Sequence, residues 1–161
     1  MSRPLAVVRR VLDDGGIEYE EGTRPGELIA ALPGEHKLRT ACSLLVGEHS
    51  LSASAFVIRR PDENTEQVYH WLLRRNSQLR GIAFAVDPDG DVFVVGRLPV
   101  AAVTAATVDA LLGAVLEAAD TSFDPLLALG FLTSMRKEWA WRVSRGESTR
   151  NLDAFRHLLD D

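Results

Sequence analysis

Leu51-Ser-Ala-Ser-Ala-Phe-Val-Ile-Arg-Arg60, Pro61-Asp-Glu-Asn64 and Thr65-Glu-Gln-Val-Tyr-His-Trp-Leu-Leu-Arg-Arg-Asn76 form the stretch that decides the architecture. A strand closes, Pro61 stops it, and an amphipathic helix opens behind capping residues. The helix is expected from about Asp62 to Gln78, with Val68, Trp71, Leu72 and Leu79 on one stripe and Asn64 with Gln67 at capping-box spacing.

Upstream of this junction, Lys37 to Val46 and Leu51 to Arg59 read as paired strands joined through Gly47-Glu-His-Ser50. Before them, Ile17 to Glu21 alternates apolar and acidic positions, and Leu28 to Leu32 is a short apolar run stopped by Pro33-Gly34, read as a further strand. Arg3 to Asp14 suits a helix capped by Ser2 and ended by Gly15-Gly16.

Downstream, Gly81 to Gly96 is a hairpin turning at Asp87-Pro-Asp-Gly90. Thr104 then caps a helix whose apolar stripe includes Val108, Leu111, Leu112, Val115 and Ala119. Asp124-Pro125 is expected to start another, running to about Arg145, and Ser148 or Thr149 to open a last short one holding Leu152, Phe155, Leu158 and Leu159. The order is α-β-β-β(-β)-α-β-β-α-α-α, an α+β plan of an antiparallel sheet flanked by helices. One domain over 1–161 is expected, with a core at about 3–120 and a helical extension at about 124–159.

Composition narrows the function. With 161 residues, 46% of them hydrophobic and 25% charged, the chain has an ordinary globular balance. A net charge of −5 argues against binding to nucleic acid, which needs a concentrated surplus of Lys and Arg. No apolar run is long enough to cross a bilayer, so no membrane partner is expected. The single cysteine, Cys42, cannot form an internal disulfide, which points to the cytoplasm.

No residue set commits the chain to a reaction. The carboxylates of Asp87, Asp89 and Asp91 have alternate spacing, but Val92 and Leu98 stand where a calcium loop needs glycine and glutamate, so a turn is expected. His36, His49, His70 and His157 are scattered without zinc-ligand spacing, and Cys42 reads as a small core hydrophobe. No cofactor, metal or catalytic residue is assigned, and the chain is not expected to be an enzyme.

The informative candidates are surfaces. Trp139 and Trp141 sit two apart on a helix and point in different directions, so one is expected to enter a core and the other to cover a neighbouring helix or a partner subunit. Arg142 with Glu138 has ion-pair spacing. The run Leu126 to Leu132, including Phe131, is apolar nearly all round and must be covered from more than one direction, with Gly130 marking a close approach or a local break. Arg74, Arg75, Arg59, Arg60, Arg80 and Arg97 are physically suited to an anion or an acidic peptide, although pairing with Asp62, Glu63, Asp89 and Asp91 is the stronger expectation. The partner-contact candidates are therefore Trp71, Arg74, Arg75, Phe131, Leu132, Trp139, Trp141 and Arg142.

The element order, with Leu51 to Phe56, Arg59-Arg60-Pro61-Asp62, Trp71 to Asn76, Gly90-Asp91-Val92, Val95 to Pro99 and Trp139-Ala140-Trp141-Arg142, resembles the actinobacterial branch of the YbjN-domain family. The resemblance covers nearly the whole chain. It implies a fold similar to type III secretion chaperones and the family's label of sensory transduction regulator. It further implies a non-enzymatic, chaperone- or adaptor-like protein that acts as a homodimer and holds a segment of a protein partner not named by the sequence. A second reading is a small-ligand sensor that binds an anionic metabolite through arginines.

Overall fold

The computed structural model describes residues 2–159. Its first helix, α1 (Arg3–Asp14), is capped by the Ser2 hydroxyl, which accepts from the Leu5 amide at 3.3 Å. Four strands follow: β1 (Tyr19–Glu21), β2 (Glu27–Pro33), β3 (Arg39–Val46) and β4 (Ser50–Ile58). Helix α2 (Thr65–Asn76) leads to β5 (Ile82–Val86) and β6 (Val92–Pro99), then α3 (Ala105–Gly130), α4 (Leu132–Arg145), a 3-10 turn at Arg150–Phe155 and α5 (Arg156–Leu159). This is the expected α+β order with the fourth strand present.

The strands form one antiparallel sheet in the order β1-β2-β3-β4-β6-β5. Period-2 alternation gives its two faces opposite characters. One row across the sheet, Ala30, Cys42, Ala55, Val94 and Phe84, is buried under the helices. The adjacent row, Ile29, Ser43, Ser54, Val95 and Ala83, is half-buried. Helix α3 lies on the buried side, packing chiefly on β4 and β6, with α1 and α2 against it. Val8, Leu12, Val68, Leu72, Val108, Val115 and Leu126 join the strand residues in one core.

Two helix boundaries differ from the sequence expectation. Asn64 does precede α2, but it adopts the left-handed conformation (φ 54°) and makes no side-chain cap. Its amide instead donates to the Leu129 carbonyl at 2.9 Å, a tertiary contact that outcompetes the local capping box. Nor does Asp124-Pro125 start a helix; α3 runs through Pro125 to Gly130. The proline deprives only the Thr121 carbonyl of its helical partner, and Thr121 lies on the exposed side while Ser122 and Leu126 are buried. Packing of the buried side carries the helix past the proline.

The break comes instead at Phe131, whose φ of −137° is not helical. Gly130 just before it satisfies both readings of the sequence. Its carbonyl accepts from the amides of Asp62 (3.0 Å) and Glu63 (3.2 Å), and a Cβ there would sit 3.0 Å from the Pro61 ring. Beyond the break, Met135, Leu152, Phe155 and Leu159 form a second small cluster with Leu127, Ala128, Leu132 and Trp139 at its edge. The all-round apolar run is thus covered from two sides, Leu126 by the main core and Leu127 by the second.

Candidate functional site

The partner-contact candidates fall into two groups. Trp71, Arg74 and Arg75 lie on α2, while Phe131, Leu132, Trp139, Trp141 and Arg142 belong to the C-terminal helices. On α2 the buried side is narrow: Val68 and Leu72 enter the core, and Trp71 is half-buried, its ring edge-on to Phe84 at 6.0 Å. The outer side is unusually apolar for a surface helix, because Leu73 is 71% exposed and Tyr69 36%. Isolated exposed apolar residues are ordinary, but Leu73 borders a depression.

That depression is an open groove of about 1170 Å³ along α2, walled by Glu66, Gln67, His70, Trp71, Leu73, Arg74, Arg75, Ser77 and Gln78, with Leu129 of α3 on the far side. It follows the helix because positions three and four apart share a face. A smaller depression shares Arg75 and Gln78 with it and continues past the helix end to Ile82, Glu117 and Thr121. Sequence reading singled out Trp71, Arg74 and Arg75 but missed Leu73, His70 and Leu129. The signal for Leu73 was available, since it lies off the stripe that Val68, Trp71 and Leu72 define.

The arginines divide. Arg59 pairs with Asp62 at 2.7 Å and its guanidinium lies 4.5 Å from the centre of the Phe131 ring, and the Arg60 amide donates to Asp91. The guanidinium groups of Arg60, Arg74, Arg75, Arg80 and Arg97 form no ion pair among the described residues, so the expected mutual pairing holds for Arg59 and fails for these five. Asp62 and Glu63 have other partners. Asp62 also accepts from the Ser134 hydroxyl (2.9 Å), and Glu63 from the amide and hydroxyl of Thr133 (2.7 Å each). The Arg59 guanidinium and the Ser134 hydroxyl hold Asp62 below its ordinary range, and the Thr133 amide and hydroxyl do the same for Glu63.

In the C-terminal group Phe131 is buried, which leaves it no surface to offer, and Leu132 and Trp139 border the second cluster. Trp141 is 52% exposed and stacks under the Arg145 guanidinium at 4.9 Å. Arg142 pairs with Glu138 at 2.8 Å and donates to the Ser148 carbonyl, tying α4 to the following loop. The two indoles therefore do diverge, one toward packing and one toward solvent.

The remaining candidates have structural occupations. Asp87 closes its hairpin by accepting from the amides of Asp89 (3.0 Å) and Asp91 (2.9 Å). Burial pushes the Cys42 thiol up to about 12, so it is un-ionised and unreactive in the core. Glu27, at the start of β2, is held down to about 2 by Arg24 and the Ser43 hydroxyl (2.6 Å). Among the described residues, no three His, Cys, Asp or Glu side chains are grouped to hold a metal ion, and no helix is long and apolar enough to cross a membrane.

Comparison with known proteins adds a lineage to this geometry. The model of the YbjN family, described as "Putative bacterial sensory transduction regulator", matches residues 4–128. An uncharacterized protein of Mycobacterium tuberculosis is 49% identical over 156 residues, covering 94% of this chain and 85% of the relative. One of Mycobacterium leprae is 46% identical over 160 residues, 97% of this chain and 87% of the relative. Among solved structures, the ExsC–ExsE complex contains a chain with a TM-score of 0.53 and 19% identity, covering 78% of this chain and 97% of its own. The Yersinia pestis type III secretion chaperone SycH, in complex with a fragment of YscM2, gives 0.49 and 18%, covering 78% and 98%. The α+β fold is shared with the chain of the ExsC–ExsE complex.

Proposed function

This chain belongs to the YbjN family, and from that premise we propose that it is a non-enzymatic protein-binding module, a chaperone- or adaptor-like regulator acting as a homodimer. The observation that carries the reading is the α2 groove, where Leu73, 71% exposed, stands beside Trp71 and next to arginines that form no ion pair among the described residues. A groove of this kind gives a partner segment apolar anchors and directional polar contacts together. It is open along its length, which suits an extended or helical segment better than a small metabolite, whose sites are concave and bury most of the ligand. Trp141 and Arg142 on α4 offer a second, smaller contact surface.

Support for self-association lies on the other side of the molecule. The half-buried row of Ile29, Ser43, Ser54, Val95 and Ala83 is uncharged and built of small or branched residues. Two copies can meet there at sheet-packing distance, with the charged side chains of that face, Glu20, Arg39 and Arg97, at the margins of the row. The test is light scattering on the purified full chain together with crosslinked copurification at native expression. A dimer that retains a protein partner is expected; a monomer that retains none contradicts the reading.

A further inference from the structure

We propose that the α2 groove takes an acidic amphipathic segment of another protein, its carboxylates over Arg74, Arg75 and Arg80 and its apolar side chains over Trp71, Leu73 and Leu129. The proposal rests on the protein-binding reading and adds the chemistry of the partner.

Charge complementarity is the first argument. The chain carries a net charge of −5, and Arg9, Arg24, Arg39, Arg59, Arg142 and Arg145 pair with carboxylates, whereas others on the surface do not. Arg74, Arg75 and Arg80 find none among the described residues, and the only side-chain bond in this set runs from Arg75 to Gln78 at 3.2 Å. Arg74 and Arg75 sit in the last turn of α2, where they complement the negative end of the helix dipole. That local role leaves most of their donors free, and guanidinium donors match carboxylates two at a time.

Shape gives the second argument. The groove and the smaller depression adjoin, sharing Arg75 and Gln78 in their walls. The track begins at Glu66, passes the three arginines and ends at Glu117. A segment lying along it meets like charge at both ends and opposite charge in the middle, which fixes where its acidic residues belong. Trp71, Leu73 and Leu129 are among its lining residues, so a purely acidic strand would leave them uncovered.

The test is selection of a displayed library of random linear peptides on the immobilised full chain, on the R74E/R75E variant and on Leu73→Ser. All three substituted side chains avoid the buried core, and unchanged thermal unfolding of the variants confirms intact folding. Enriched peptides are expected to combine Asp or Glu with apolar residues, to bind R74E/R75E at least about tenfold more weakly, and to weaken on Leu73→Ser. Enrichment without acidic bias, equal binding to R74E/R75E, or no enrichment at all overturns the proposal. So does complete displacement by millimolar inorganic phosphate but not by chloride of equal ionic strength, which would assign the groove to small anions. A copurifying partner whose binding survives R74E/R75E removes this inference while leaving the protein-binding reading intact.

Discussion

Glu63 accepts two hydrogen bonds from Thr133, one from its backbone amide and one from its hydroxyl, each 2.7 Å long. The first turn of α4 has no side-chain cap of its own, so a carboxylate seventy residues earlier in the chain does the capping. Asp62 and Gly130 reinforce the same junction. The loop after Pro61 thereby clamps the C-terminal helices to the sheet-bearing core. Glu63→Ala should speed amide hydrogen exchange across 132–145 while leaving the protection of β4 and β6 unchanged; slowed or unaltered exchange in α4 would contradict the capping role.

Acid should loosen the same clamp. Hydrogen bonds from Thr133 lower the Glu63 pKa, and Arg59 followed by Ser134 lowers that of Asp62. Because each folded-state value lies below the unfolded one, the unfolded chain binds more protons, and stability rises with pH through that interval. The contribution is complete above the ordinary values of 4.5 and 3.8 and is lost as pH falls through the folded values. Exchange protection of α4 should therefore decline on acidification below pH 4.5, and the decline should be smaller in Glu63→Gln.

Two glycines of α3 should respond in opposite directions to the same substitution. At Gly113 nothing lies within 4 Å of a new Cβ, so Gly113→Ala should stabilise, by about 0.5–1 kcal/mol from backbone entropy and helix propensity. At Gly130 the Cβ would press on the Pro61 ring at 3.0 Å, with Val68 at 3.6 Å behind it. A proline ring yields little, and Gly130→Ala should lose about 1 kcal/mol net despite the propensity gain. Chemical denaturation of the two variants checks the sign of each.

Asn76 closes an open sheet edge. Its side-chain amide donates to the Phe84 carbonyl (3.2 Å), and its oxygen accepts from the Phe84 amide (2.7 Å), imitating the strand that β5 lacks. Asn76→Ala should cost about 1–2 kcal/mol for two part-buried hydrogen bonds. It should also raise aggregation on heating, since it frees a strand edge for pairing. Denaturant midpoints and light scattering during a thermal ramp measure the two effects.

The fold was readable where patterns are local. Period-2 runs fixed β3 through β6, and the stripe from Val108 to Ala119 fixed the first half of α3. Boundaries set by distant contacts were not readable. Asn64 looks like a cap in sequence, yet it bonds to Leu129, and Pro125 looks like a start because nothing nearby reveals that Leu126 is held in the core. The candidate site was legible in part for the same reason. Trp71, Arg74 and Arg75 stand out by residue type, whereas Leu73 acquires its meaning only from the groove beside it.

The central claim is that the outer face of α2 is where this protein meets its partner. Its most direct test is a photocrosslinking residue introduced at Leu73 in the native host, compared with the same residue at Leu38, which is 77% exposed but stands apart from the groove. A discrete protein adduct at position 73 and none at position 38 is the predicted result; equal labelling at both, or no adduct at 73, would contradict the account.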